Sequence, residues 1–79
     1  MMRQQSATRD GALATDLARL TPTQRKVLDG VYSGQLNKQI AWELSLSERT
    51  IKMHRSALFR ALDVRTSAEA IRVAVEAGF

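Results

Sequence analysis

From Leu20 onward, apolar residues recur at helical spacing, with no stretch of strand-like alternation. Val27, Leu28, Val31 and Tyr32 form an i, i+1, i+4, i+5 stripe; Ile40, Ala41 and Leu44 form a shorter one, and Ile51, Leu58 and Leu62 a third. Each stripe is bounded by residues that start or stop helices. Thr21 is placed to cap the first helix, with Pro22 at N1, where its missing N–H costs nothing, and Gln24 at N3 to close a capping box. Ser33-Gly34 ends it. Asn37 reads as the cap of a second helix ending near Ser45, with Leu36 stapled onto Ala41. Ser47 caps a third, whose first turn holds Glu48 against the positive end of the helix dipole and which runs to about Leu62. Asp63 then turns the chain in the left-handed region. Thr66 and Glu69 make a second capping box for a fourth helix reaching Ala77 and stopping at Gly78. The expected fold is all-α, a four-helix bundle containing a helix-turn-helix: a short helix, the tight Leu44-Ser45-Leu46-Ser47 turn and a longer helix.

Ahead of this pattern, residues 1–10 are polar and without periodicity, while Leu13, Leu17 and Leu20 allow a short helical turn. The expected organisation is a flexible N-terminal arm or linker over residues 1–19 and one domain over residues 20–79. Seventy-nine residues leave room for a single domain. No cysteine is available to brace it, and no apolar run exceeds three residues, which excludes a membrane span or a signal-peptide core in this sequence. A cytoplasmic protein without membrane partner follows as the default. One histidine, no cysteine and no Gly-rich phosphate loop argue against an enzyme, a metal site or a cofactor.

Charge narrows the function. The net charge is +4, and most of it lies between Glu48 and Leu62, where Arg49, Lys52, Arg55 and Arg60 face a single acid. With Ile51 at 0° on a helical wheel, Leu58 and Leu62 fall within about 20° of it. Lys52, Ser56, Arg49, Arg60 and Met53 fall between about 100° and 200°. A solvated face normally interleaves acids with its cations, and this one does not. Such a helix fits the major groove of B-DNA, about 12 Å wide. Its cations would meet phosphates while Lys52, Met53 and Ser56 reach base edges, Met53 being suited to a thymine methyl.

The segments Leu20-Thr21-Pro22-Thr23-Gln24-Arg25-Lys26-Val27-Leu28, Gly34-Gln35-Leu36-Asn37-Lys38-Gln39-Ile40-Ala41, Leu46 to Arg55 and Val64-Arg65-Thr66-Ser67-Ala68-Glu69-Ala70 keep their order and spacing. Together they resemble the LuxR-type helix-turn-helix domain of the LuxR, FixJ, NarL and GerE transcription regulators, over roughly residues 20–77. The resemblance implies a scaffold helix, the helix-turn-helix pair and a last helix that often dimerises, and hence a response-regulator output domain that binds duplex DNA sequence-specifically. It implies base contacts from Lys52, Met53 and Ser56, and places Lys38, Arg49 and Thr50 near phosphates. RNA polymerase is a candidate second partner of such a regulator. Ser45 and Asp63 stand where many members have Gly, which calls for left-handed backbone at both.

Other residues carry local expectations. Arg60 joins the phosphate-facing cations; Arg55 lays its stem on the core edge and sends its guanidinium to solvent or phosphate. His54 reads as a hydrogen-bonded contact between helices, Trp42 as a packing residue, and Tyr32, Phe59 and Phe79 as core or edge fillers. On the fourth helix, Ile71, Ala74 and Val75 form one apolar strip and Ala70, Val73 and Ala77 another. Since one core cannot bury both, Ala70, Val73 and Ala77 are expected to meet the same helix of a second subunit. Two alternatives stand beside this reading: promoter recognition like that of sigma-factor region 4, and a helical protein-interaction module using the cationic face.

Overall fold

The computed structural model describes residues 17–79, so the expected arm, except for residues 17–19, and the Leu13 turn lie outside the described residues. Among those described, four helices are found and no strand: α1 (Pro22–Tyr32), α2 (Asn37–Leu44), α3 (Glu48–Ala61) and α4 (Ser67–Glu76). None is long and apolar enough to cross a membrane.

Local chemistry sets most boundaries. Thr21 Oγ1 accepts from the Gln24 N–H at 3.1 Å while Gln24 Oε1 accepts from the Thr21 N–H at 2.9 Å, the full capping box. Ser47 Oγ accepts from the Thr50 N–H at 3.1 Å and opens α3. Ser45 (φ 56°) and Asp63 (φ 55°) both adopt the left-handed conformation, closing α2 and turning the chain after α3. Thr66 caps α4 through the Glu69 N–H at 3.1 Å, but Glu69 answers by accepting from the Thr66 hydroxyl at 3.3 Å rather than from its backbone.

The start of α2 departs from expectation. Asn37 is its first helical residue, and the cap position falls on Leu36, which has no acceptor. Gln39 Oε1 makes the reciprocal half of a capping box instead, accepting the Leu36 N–H at 2.7 Å. Leu36 remains 64% exposed, bordering a hollow with Val31, Arg55, Ser67 and Ile71 instead of folding onto Ala41.

The core gathers Val27, Leu28 and Val31 of α1, Ile40 and Ala41 of α2, Ile51 and Leu58 of α3, Ala70 and Ala74 of α4, and Leu62 and Val64 from the last turn. Leu17 and Leu20 are buried with them, so packing begins ahead of α1. Gly30 allows α1 and α2 to touch: a Cβ there would lie 2.6 Å from Ile40 Cγ1. Arg25 ties the entry, donating from Nη1 to the Leu17 carbonyl at 2.9 Å while its guanidinium stands 5.9 Å from the centre of the Phe79 ring. Tyr32 meets the same ring edge-on at 5.8 Å.

The structure follows neither expected strip of α4 as a unit but buries one residue from each. Ala70 and Ala74 are fully buried, and Val73 and Ala77 are half-buried against the core. Ile71 packs half-buried against the core in the same way, and Val75 alone is left out, 57% exposed. The small side chains are used inside the chain, letting α4 lie close on its neighbours, and Ala70 is not available to a second subunit. Trp42 is likewise no packing residue: it is 85% exposed, because α2 already fills its core side with Ile40, Ala41 and Leu44.

Candidate nucleic-acid interface

Burial of Ile51 and Leu58 fixes the rotation of α3, and the opposite side is then left to solvent. Arg49, Lys52, Met53, Ser56 and Arg60 are all exposed there, with Met53 at 61%. An exposed thioether between cations is unusual on a free surface and useful on a ligand-binding one. Glu48 sits at the N-terminal end of α3 and Arg60 in the last turn, each at the end of the helix dipole that favours its charge. Fourteen residues make α3 about 21 Å long. That length exceeds the groove width of about 12 Å, so cations at its two ends can address both phosphate walls.

Three expected contact residues sit off this face. Lys38 is exposed on α2. Thr50 is half-buried, its hydroxyl accepting from Ser47 Oγ at 2.9 Å, which locks the first turn of α3. Arg55 is half-buried and donates from Nη2 to Ser67 Oγ at 2.6 Å, with its guanidinium 5.3 Å from the centre of the Phe59 ring. Of the two destinations open to it, the structure uses neither fully. Arg55 links α3 to the start of α4, and only its remaining N–H donors are free to meet a phosphate. His54 lies half-buried at the border of the core face.

Two surface features escape a helical-wheel reading. Arg65 borders a hollow with Ser56, Phe59, Arg60, Asp63 and Val64, adding a cation at the C-terminal end of α3. The left-handed turn at Asp63 brings it back there, so the Asp-Val-Arg order after a helix is the only trace in the sequence. Trp42 and Lys38 line a shallow groove on α2 with Gln35, Gln39 and Glu43.

A short bracing helix, a left-handed turn and a cation-faced helix held by a third helix define a helix-turn-helix DNA-binding domain. The family model for luxR-family bacterial regulatory proteins matches residues 18–74. This chain belongs to that family, whose domain binds DNA and is not an enzyme. It is 35% identical over 66 residues to the transcriptional regulatory protein FixJ of Bradyrhizobium diazoefficiens, covering 84% of this chain and 32% of that one. It is 37% identical to the response regulator protein TodT of Pseudomonas putida, over 86% of this chain and 30% of the relative. Among solved structures, response regulator StyR superposes with a TM-score of 0.88 at 32% identity, covering 95% of this chain and 38% of that chain. The chain thus spans about a third of the length of the curated relatives it matches.

Proposed function

We propose that this domain binds duplex DNA sequence-specifically, with α3 in the major groove, as the output domain of a cytoplasmic transcription regulator. The exposed cationic face of α3, free of compensating acids at its centre, carries this reading. Lys52 and Met53 read bases; Ser56, with its short side chain, reads them through water. Lys38, Arg49, Arg60 and Arg65 hold phosphates, with Thr50 fixing the first turn and Arg55 lending its spare donors. Two copies pair on DNA through the last helix. Burial of Ala70 moves that contact to the outward side of α4, where Arg72 and Val75 are exposed. RNA polymerase is a further partner of the whole regulator.

Mobility shift with salt titration tests the reading. With about 5–8 phosphates neutralised, log K falls against log[salt] with a slope near −0.9 per phosphate, and Arg60→Ala flattens it by about one phosphate. No shift at low salt would transfer the cationic face to an acidic protein partner.

A further inference from the structure

We infer that the outer flank of α2 is a self-docking surface, on which two copies of the DNA-free protein pair antiparallel through Trp42. Lys38, Gln39, Trp42 and Glu43 are all exposed and recur at i, i+1, i+4, i+5, the spacing of a helix face that packs on another helix. Trp42 is the most exposed of the large hydrophobic residues described, at 85%. An indole pairs a large apolar body with one N–H donor, a combination usually found buried or at an interface.

The charges of this flank select the partner. Lys38 is the second residue of α2 and Glu43 the last but one, so each stands at the end of the helix dipole that disfavours it. α3 is arranged the other way, with Glu48 at its N-terminal end and Arg60 in its last turn. A polyanion would answer Lys38 but repel Glu43. A second α2 running antiparallel answers both, because it brings its C-terminal end to Lys38 and its N-terminal end to Glu43. A two-fold axis crossing the flank between Ile40 and Ala41 sets Lys38 against the partner's Glu43, Glu43 against the partner's Lys38, and each Trp42 against the partner's Gln39. Gln35 donates from Nε2 to Glu43 at 2.8 Å and holds that carboxylate at the rim of the hollow that the indole lines. The patch thus contains the complement of its own charges, as an isologous contact requires. It is small, on a helix of eight residues about 12 Å long, whereas a stable pair buries about 800 Å² per partner. The pairing is therefore weak, with a dissociation constant of about 1 mM. It belongs to the protein without DNA, where Lys38 has no phosphate to meet, and so stands apart from the groove reading of α3.

Trp42 is the sole tryptophan, so its emission reports on this one spot. The test is sedimentation equilibrium up to millimolar protein without DNA, with acrylamide quenching alongside. A monomer–dimer equilibrium is expected, with quenching that falls several-fold as the dimer forms. Trp42→Ala weakens pairing at least about ten-fold, as loss of a central aromatic anchor does. Lys38→Glu and Glu43→Lys each weaken it several-fold, since like charges then face each other across the axis. An equimolar mixture of these two variants restores pairing, because each meets its opposite. All three side chains are exposed, so the variants keep their fold, which circular dichroism verifies. Monomer alone at millimolar concentration overturns the inference, as does pairing that survives Trp42→Ala or a mixture that fails to recover. Each of these outcomes leaves DNA binding, read separately by mobility shift, where it stood.

Discussion

The outward sides of α3 and α4 were shaped by opposite demands. On α3 the buried stripe is narrow and everything across from it is polar or cationic, apart from Met53. On α4, Val73, Ala74 and Val75 run consecutively, and apolar residues surround most of the helix. Spacing alone orients the first, because only one rotation hides its apolar residues and frees its charges. For the second, apolar residues on several sides leave spacing without a single answer. Alanines permit close approach, so Ala70 and Ala74 go inward, Ile71 and Val73 pack at the edges of that contact, and Val75 is left outside. The charged helix advertises its ligand-facing side, while the alanine-rich helix conceals its own.

The sharpest way to break this comparison is a pair of matched substitutions on α4. Ala70→Asp places a carboxylate in the core and is expected to cost several kcal/mol, enough to unfold so small a domain in a urea titration. Val75→Asp is expected to stay within about 0.5 kcal/mol of the parent in stability. It should instead weaken pairing on two-site DNA, measured by sedimentation. Equal stability losses for the two would refute the assigned rotation. Next in size, Lys52→Ala or Met53→Ala removes a base contact and should relax discrimination by about 1–3 kcal/mol at one position. Selection from a random duplex library reads this out, and unchanged preferences would take α3 out of the groove. The smallest effect is expected at Ser45. Replacing this left-handed residue by Gly relieves backbone strain and should raise stability by up to about 1 kcal/mol, with DNA affinity unaltered.

What could be read from the chain in advance follows the range of the forces involved. Thr21, Ser47 and Asp63 act on backbone within a few residues, so capping and turn chemistry placed α1, α3 and the bend after α3 without knowledge of the packing. The face of α3 was legible for the reason given above. Arg55 was not, because its partner Ser67 lies twelve residues away and becomes a neighbour only once α4 docks. Trp42 failed for a related reason. A helix that stays out of the groove suggested packing for it, yet the interior side of an eight-residue helix was already occupied. Leu36 differs for a local reason: it stands at the cap itself rather than one residue ahead of it, so the staple position falls on Gln35.

Arg25 grips the carbonyl of Leu17 and overhangs the ring of Phe79, binding two sequence-distant points to α1. A pull arriving through Leu17 is therefore met first by this clasp on α1, and reaches the exposed cations of α3 only through the packed core between them.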